Sequence, residues 1–334
     1  MTLDGKKKHL AFGSTSPTIS SMKETIEDSA SLGIVEGVLG QPAYREEGLL
    51  IYRGDCIQLM SRLPAHLVNL TVTSPPYNIG KEYEQVRDLD DYIAWSERWI
   101  HAVHRLTSST GAFWLNLGYV SIDNQAKAIP LPYLLWQKVP FFLLQEVVWN
   151  YGAGVACKRM FSPRNEKFLW YVKDKERYTF NLDHVRDPNV KYPNSKKNGR
   201  IRCNPNGKNP TDVWQIPKVT SGENRSSKER TPHPAQFPVA VIERIILACS
   251  SVGDLVLDPF MGSGTVAQVA LATGRRVVGF EIEERYIGMC RSRIQSYLEK
   301  CRAEAAQGLL GFTGDTRRPV LPLRRQDQVE LVAL

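Results

Sequence analysis

The stretch "LVLDPFMGSGTVAQVALATG" (residues 255–274) constrains the fold of this chain more than any other. An apolar run stops at Asp258-Pro259-Phe260, turns through Gly262 and Gly264, and resumes as an apolar helix-like segment. Glycines let a backbone pass close to a ligand, and a helix N-terminus offers unpaired N–H groups. A strand, tight turn and helix in this order belongs to a parallel sheet covered on both faces, with ligands at the carboxyl ends of the strands.

The rest of the chain follows the same rhythm. Strands are expected at "GLLIYRGD" (48–55), "VNLTVT" (68–73), "GAFWLNLG" (111–118), "FLLQEVVWN" (142–150), "EKFLWYVKD" (166–174) and "RRVVGFEI" (275–282). "CIQLMSRL" reads as a short helix stopped by Pro64. Residues 88–111 place Leu89, Tyr92, Ile93, Trp99, Ile100, Val103 and Leu106 at helical spacing, with Gly111 as the expected stop. "FPVAVIERIILACS" (237–250) and "EERYIGMCRSRIQSYLEKCRAEAA" (283–306) are two further helices. Alternation of this kind predicts an α/β fold, a largely parallel twisted sheet with helices on both faces.

Composition narrows the class. Six cysteines lie scattered with no CxxC pair, which argues against a zinc site or disulfide framework and for a reduced compartment. No apolar run approaches the roughly 18–20 residues that span a bilayer. "MTLDGKKKHLAFGSTS" has a basic cluster without a long apolar run behind it, which speaks against a secretory signal. Net charge is +8, and residues 186–230 hold eleven Lys and Arg against four acids, among many Asn, Pro and Gly. Charge focused this way favours a polyanion partner over a merely solvated loop. Expected organisation is a flexible or peripheral arm (1–45), two halves of one domain (46–173 and 231–300), a basic region between them (174–230) and a tail (301–334).

Two ligand readings of the glycine turn stand open. Gly262-Ser-Gly264-Thr-Val-Ala267 fits the dinucleotide fingerprint, and Glu281 ends the next strand where a ribose-binding acid belongs. S-adenosylmethionine is favoured because Asp258 would repel a pyrophosphate yet welcome an ammonium, and Phe260 offers an apolar contact. A second corner, "TSPPYNIGK" (73–81), ends a strand on two prolines and an aromatic. Each proline fixes φ and removes a donor, leaving a stiff extended corner whose acceptors have no ladder partners. Such a corner either terminates a strand or grips a planar group.

Taken together, "TSPPYNIGK", a basic region and "LDPFMGSGT", in that order, resemble the β class of DNA amino-methyltransferases. "RGDC" (53–56), "HPAQFP" (233–238) and the acidic end of "VVGFEI" add to the likeness, which spans roughly residues 48–300. The resemblance implies a Rossmann-like S-adenosylmethionine-dependent fold in which Ser74, Pro75, Pro76 and Tyr77 are catalytic. The Ser74 hydroxyl and Pro75 carbonyl would accept from the target amine, and Tyr77 would stack on a flipped base. Asp258, Phe260, Gly262 and Gly264 would contact the methionine moiety, Glu281 the ribose and Asp55 the adenine amine, with His233 and Gln236 capping the cofactor. Asp55 could equally be a helix N-cap. Asn78 and Lys81 would shape the loop over the base.

Ser at the first corner position is associated in this family with cytosine N4, and Asp with adenine N6. No cysteine follows a proline, which argues against methylation at cytosine C5. The basic region, with Lys196, Lys197, Arg200, Arg202, Lys208 and Arg225, would hold duplex DNA and choose the sequence. Asn204 and Asn206 could read base edges there. The implied protein is a cytoplasmic, nucleoid-associated, N4-cytosine methyltransferase, monomer or homodimer, with a possible restriction endonuclease acting at the same site. An N6-adenine DNA methyltransferase is the first reading it competes with, ahead of a nicotinamide enzyme and a non-catalytic DNA-binding subunit.

Overall fold

The computed structural model describes residues 30–307 apart from 83, 153, 155 and 220–228. Helix α1 (30–39) and strand β1 (Tyr44–Glu46) open it, followed by β2 (Leu49–Arg53), α2 (Cys56–Arg62) and β3 (Val68–Thr73). Then come α3 (Leu89–Leu106), β4 (Thr107–Leu117), the hairpin β5 (Tyr119–Ile122) and β6 (Ala126–Pro130), and α4 (Leu131–Leu135). Strands β7 (Phe142–Asn150) and β8 (Asn165–Val172) precede a small hairpin, β9 (Lys196–Lys197) with β10 (Arg200–Ile201), and β11 (Val213–Gln215). The chain closes with α5 (Val239–Cys249), β12 (Leu255–Asp258), α6 (Thr265–Ala272), β13 (Arg276–Glu281) and α7 (Glu284–Ala306).

One sheet carries nine strands in the order β1-β2-β13-β12-β3-β4-β8-β7-β11. Only β1 and β8 run against the rest. Alternation along each strand splits the interior into two layers, since successive side chains point to opposite faces. Leu49, Ile51, Leu70, Val72 and Trp114 pack with α5, α6 and α7, whereas Leu50, Tyr52, Phe113 and Leu115 pack with α2, α3 and α4. From β3 the chain crosses to β4 on one side, and from β12 to β13 on the other. The crevice between β3 and β12 is therefore the topological switch point, where open α/β sheets bind ligands.

Several boundaries differ from those expected. Residues 30–45 pack at the edge of the sheet: Val35 is fully buried in the layer that holds Leu50 and Tyr52, and Tyr44 pairs with Ile51. The third helix stops at Leu106, where the Thr107 hydroxyl donates to the Val103 carbonyl, so Gly111 falls inside β4. The last helix runs through Ala306, past the expected start of the tail; residues 308–334 lie outside those described. The basic region is likewise not wholly separate. Its Val213–Gln215 segment joins the main sheet beside β7, and Asn181 donates to the Ala248 carbonyl at the end of α5.

Candidate active site

The two corners, 185 residues apart in sequence, meet across the switch point: the Thr73 hydroxyl donates to Asp258 Oδ1 at 2.7 Å. A cleft opens there, lined by Gly54, Asp55, Ser74–Tyr77, Trp95, His233, Asp258–Ser263, Glu281 and Tyr286 among others.

On the β3 side, the Tyr77 hydroxyl donates to Asn116 Oδ1 at 2.5 Å and lies 2.8 Å from Ser74 Oγ. Asn116 is oriented by its own amide, which donates to the Lys167 carbonyl at 2.9 Å. With the phenolic proton committed to Asn116, the Ser74 hydroxyl is the donor to Tyr77. Its oxygen keeps lone pairs for an incoming donor. The Tyr77 ring lies over Gly118, where any Cβ would come within 2.6 Å of it. Pro76 gives its carbonyl to the Tyr92 hydroxyl at 2.7 Å, which fixes the corner to α3.

The following loop is wound around one carboxylate. Glu84 accepts from the backbone N–H groups of Asn78, Ile79 and Lys81. Asn78, at φ +62°, exchanges two hydrogen bonds with the backbone of Arg87. Asn78 therefore shapes the loop, as expected, whereas Lys81 contributes through its backbone. Glu82 ties the loop to α7, accepting from the Tyr286 hydroxyl at 3.3 Å.

The β12 side is acidic. Asp258, 3% exposed, accepts from Thr73 and from the Phe260 N–H at 3.1 Å. Burial raises its pKa to about 7, outweighing those hydrogen bonds. Glu281 accepts from the N–H groups of Gly262, Ile282 and Glu283, and burial again raises its pKa. Gly262 sits at φ +49°, and a Cβ there would lie 2.9 Å from His233 Nε2. The His233 ring meets Tyr286 edge-on at 4.5 Å, and its Nδ1 accepts from the Ala235 N–H. Burial lowers its pKa to about 4, so the ring is neutral at pH 7. Phe260 packs edge-on against Trp95 and Trp99, making an aromatic floor.

Most expected site residues converge on this cleft, but two do not. Gly264, at φ +76°, turns toward Cys290 and leaves no room for a Cβ, so it serves the packing of α6 on α7. Gln236 is buried outside the cleft wall, binding Thr231 and the Glu229 carbonyl through both ends of its amide. Asp55 is the N-cap of α2, its Oδ1 accepting from the Gln58 N–H at 3.0 Å, and the residue also lines the cleft. Sequence reasoning missed Asn116, although a lone polar residue inside the buried run "FWLNLG" was the available signal. It also missed Glu84 and Trp95.

Of the expected DNA contacts, Lys196, Lys197, Arg200 and Arg202 are exposed on or beside the β9–β10 hairpin. Lys208 differs, for its ammonium pairs with Asp187 at 3.0 Å. Arg225 lies outside the described residues. No helix among the described residues is long and apolar enough to cross a membrane, and none of their side chains cluster as a metal site.

Sheet order, switch-point cleft and paired corners define an α/β protein with a cleft between β3 and β12. The model of a family described as DNA methylase (N6_N4_Mtase) matches residues 68–291, and the chain belongs to that family. Type II methyltransferase M.ScaI of Streptomyces caespitosus is 60% identical over 265 residues, 79% of this chain and 87% of that protein. DNA adenine methyltransferase YhdJ of Escherichia coli (strain K12) is 34% identical over 262 residues, 75% of this chain and 84% of that one. Among solved structures, the PvuII DNA methyltransferase (cytosine-N4-specific) shares the fold, with TM-score 0.60 at 20% identity over 78% of this chain and 93% of that one. The protein is a DNA methyltransferase.

Proposed function

We propose that this methyltransferase uses S-adenosylmethionine to methylate the exocyclic N4 of cytosine in duplex DNA, acting on a base swung out of the helix. The observation that carries the reading is the directed chain from Ser74 through Tyr77 to Asn116. An exocyclic amine is a poor nucleophile because its lone pair is delocalised into the ring. Fixed acceptors on its hydrogens draw it toward tetrahedral geometry. Ser74 Oγ, kept as an acceptor by the chain, and the Pro75 carbonyl, held by flanking proline rings, are those acceptors. Tyr77, braced over Gly118, offers its ring to the flipped base.

The cleft fits S-adenosylmethionine on its own chemistry. Two carboxylates with raised pKa values, Asp258 buried and Glu281 half-buried, call for a cation, and Asp258 would answer to the ammonium of the methionine moiety. Glu281 Oε2 accepts one N–H and has capacity left for a ribose hydroxyl. Asp55 would take the adenine amine, while Phe260, Gly262 and His233 would hold the methionine end. S-adenosylmethionine, when bound, supplies the electrophilic methyl group. A nicotinamide dinucleotide suits the cleft less well, because its pyrophosphate would face Asp258 and find the Gly262 N–H already given to Glu281.

Lys196, Lys197, Arg200 and Arg202 would hold phosphates, and Arg225 joins them on sequence alone. The choice of cytosine rests on Ser74, and a restriction endonuclease cutting the same site would be the natural companion. The test is to incubate the protein with genomic DNA from a host lacking the modification and methyl-labelled S-adenosylmethionine. Digestion to nucleosides then identifies the labelled base, and sequencing maps the site. N4-methylcytosine supports the reading. N6-methyladenine would keep the mechanism and reject the base; the name of the YhdJ relative gives adenine.

A further inference from the structure

The loop between β7 and β8 carries a feature that the cleft does not use. Phe161 is 99% exposed, beside Met160 at 44%. Both follow Lys158 and Arg159, whose side chains are also exposed, and Arg164 closes the loop. Residues 151–164 contain no acid. A solvated loop explains the cations but not two large apolar side chains at its tip.

The loop leaves the sheet at the same end as the catalytic corner, since β7 runs in the direction of β3 and β4. Strand β8 lies directly beside β4, with Leu117 opposite Lys167. Asn116, which holds Tyr77, donates to that same Lys167. Two residues earlier, Asn165 begins β8, and the Tyr151 N–H donates to the Arg164 carbonyl to close the loop's base. Nearer the tip, the Cys157 N–H donates to Ser162 Oγ at 2.9 Å, which pinches the chain and leaves Lys158–Phe161 projecting. Rigid pinching with an apolar tip suits insertion rather than loose electrostatic contact.

We propose that Phe161 is a wedge that enters the DNA base stack beside the target nucleotide, while Lys158 and Arg159 hold the flanking phosphates. This rests on the reading that the target base leaves the duplex. A flipped base vacates one place in the stack, and an aromatic ring recovers part of the lost stacking. The cations surrounding Phe161 select a polyanion as the occupant, because a second protein chain docking there would have to bury them.

The test compares methyl transfer into two duplexes carrying the mapped site: one fully paired, and one with an abasic position opposite the target. Phe161→Ala should slow transfer to the paired duplex by about 10-fold or more. On the abasic duplex, where the target is already unpaired, it should fall within twofold of wild type. Phe161→Trp should keep most of the paired-duplex rate. Lys158→Ala with Arg159→Ala should weaken both duplexes alike and reduce the slope of log affinity against log salt by about 2. An unchanged midpoint shift with S-adenosylhomocysteine shows that each variant is folded. Equal rates for Phe161→Ala and wild type on the paired duplex overturn the wedge, as does an equal loss on both duplexes. A changed sedimentation coefficient without a change in transfer would assign Phe161 to a contact between copies instead. Failure of the wild type to label either duplex would overturn the proposed methyl transfer at that site, before any variant is compared.

Discussion

The two corners of the cleft follow neighbouring parallel strands and share the Thr73–Asp258 hydrogen bond, yet they hold their polar groups in opposite ways. At the β3 corner everything is neutral: a serine, a tyrosine, an asparagine and backbone carbonyls, linked in one direction. At the β12 corner two carboxylates, one buried and one half-buried, sit against the cost of their charge. The difference separates two tasks. Drawing an amine toward nucleophilic geometry needs fixed lone pairs, not a group that titrates near neutral pH. Holding a cationic ligand needs charge, and burial, which disfavours an unpaired charge, makes a carboxylate gain most from a cationic partner.

The sharpest way to break the comparison is Ser74→Ala. If the neutral corner acts only on the transferring amine, this change should lower the rate of methyl transfer by about 10²–10³-fold. Affinity for S-adenosylhomocysteine, read by calorimetry, should stay within about twofold. A parallel loss of cofactor affinity would show that the corners are not separate. Asn116→Ala comes next. It removes the acceptor that directs the chain, so Tyr77 can turn its proton toward Ser74 and compete for the serine oxygen. A fall in transfer of about 10-fold is expected, on the scale of one net hydrogen bond to the reacting group. Tyr77→Phe in the Asn116→Ala background should then add little, because the chain is already broken.

The acidic corner predicts a pH dependence that the neutral one lacks. Asp258 has its pKa raised by burial to about 7 from 3.8, so in the folded protein its ionised form is disfavoured. Its contribution to stability is accordingly largest at low pH and declines as pH rises from about 4 to about 7. Binding of a cation runs the other way, since it requires the carboxylate. Affinity for S-adenosylhomocysteine should climb by at most about tenfold per pH unit below 7 and level off above it. Asp258→Asn should flatten that climb. A pH-independent affinity in the wild type would remove Asp258 from ammonium binding.

Much of this was legible in the sequence where the signal was local. The order of strands and helices, the stiffness of Ser74–Tyr77 and the glycine turn all follow from residue types within a few positions of one another. Contacts across the sheet were not legible. Nothing adjacent in sequence shows that Asn116 reaches Tyr77, or that Thr73 meets Asp258 from 185 residues away. Gly264 and Gln236 were assigned to the cofactor because motif positions do not reveal which way a side chain or a missing one faces. Gly264 faces Cys290, and Gln236 faces its own loop. The segment 30–46 lacked a strong period because it covers the sheet's edge with one short helix and three strand residues.

The smallest expected effect sharpens the comparison at the DNA-facing end. Counting charges treats Lys196 and Lys208 alike, yet among the described residues Lys208 alone of the two is paired, with Asp187 at 3.0 Å. Asp187 also has its carboxyl held below the usual range, where hydrogen bonds from Asn189 and Lys208 overcome its partial burial. A phosphate would have to displace that carboxylate before gaining the ammonium, so Lys208 should release few counterions on binding. Lys196→Ala and Lys197→Ala should each lower the slope of log affinity against log salt by about 0.9, whereas Lys208→Ala should change it by much less. An equal drop for Lys208→Ala would mean that the Asp187 pair opens on DNA, and that the whole region from β9 to Lys208 moves as one phosphate-binding surface.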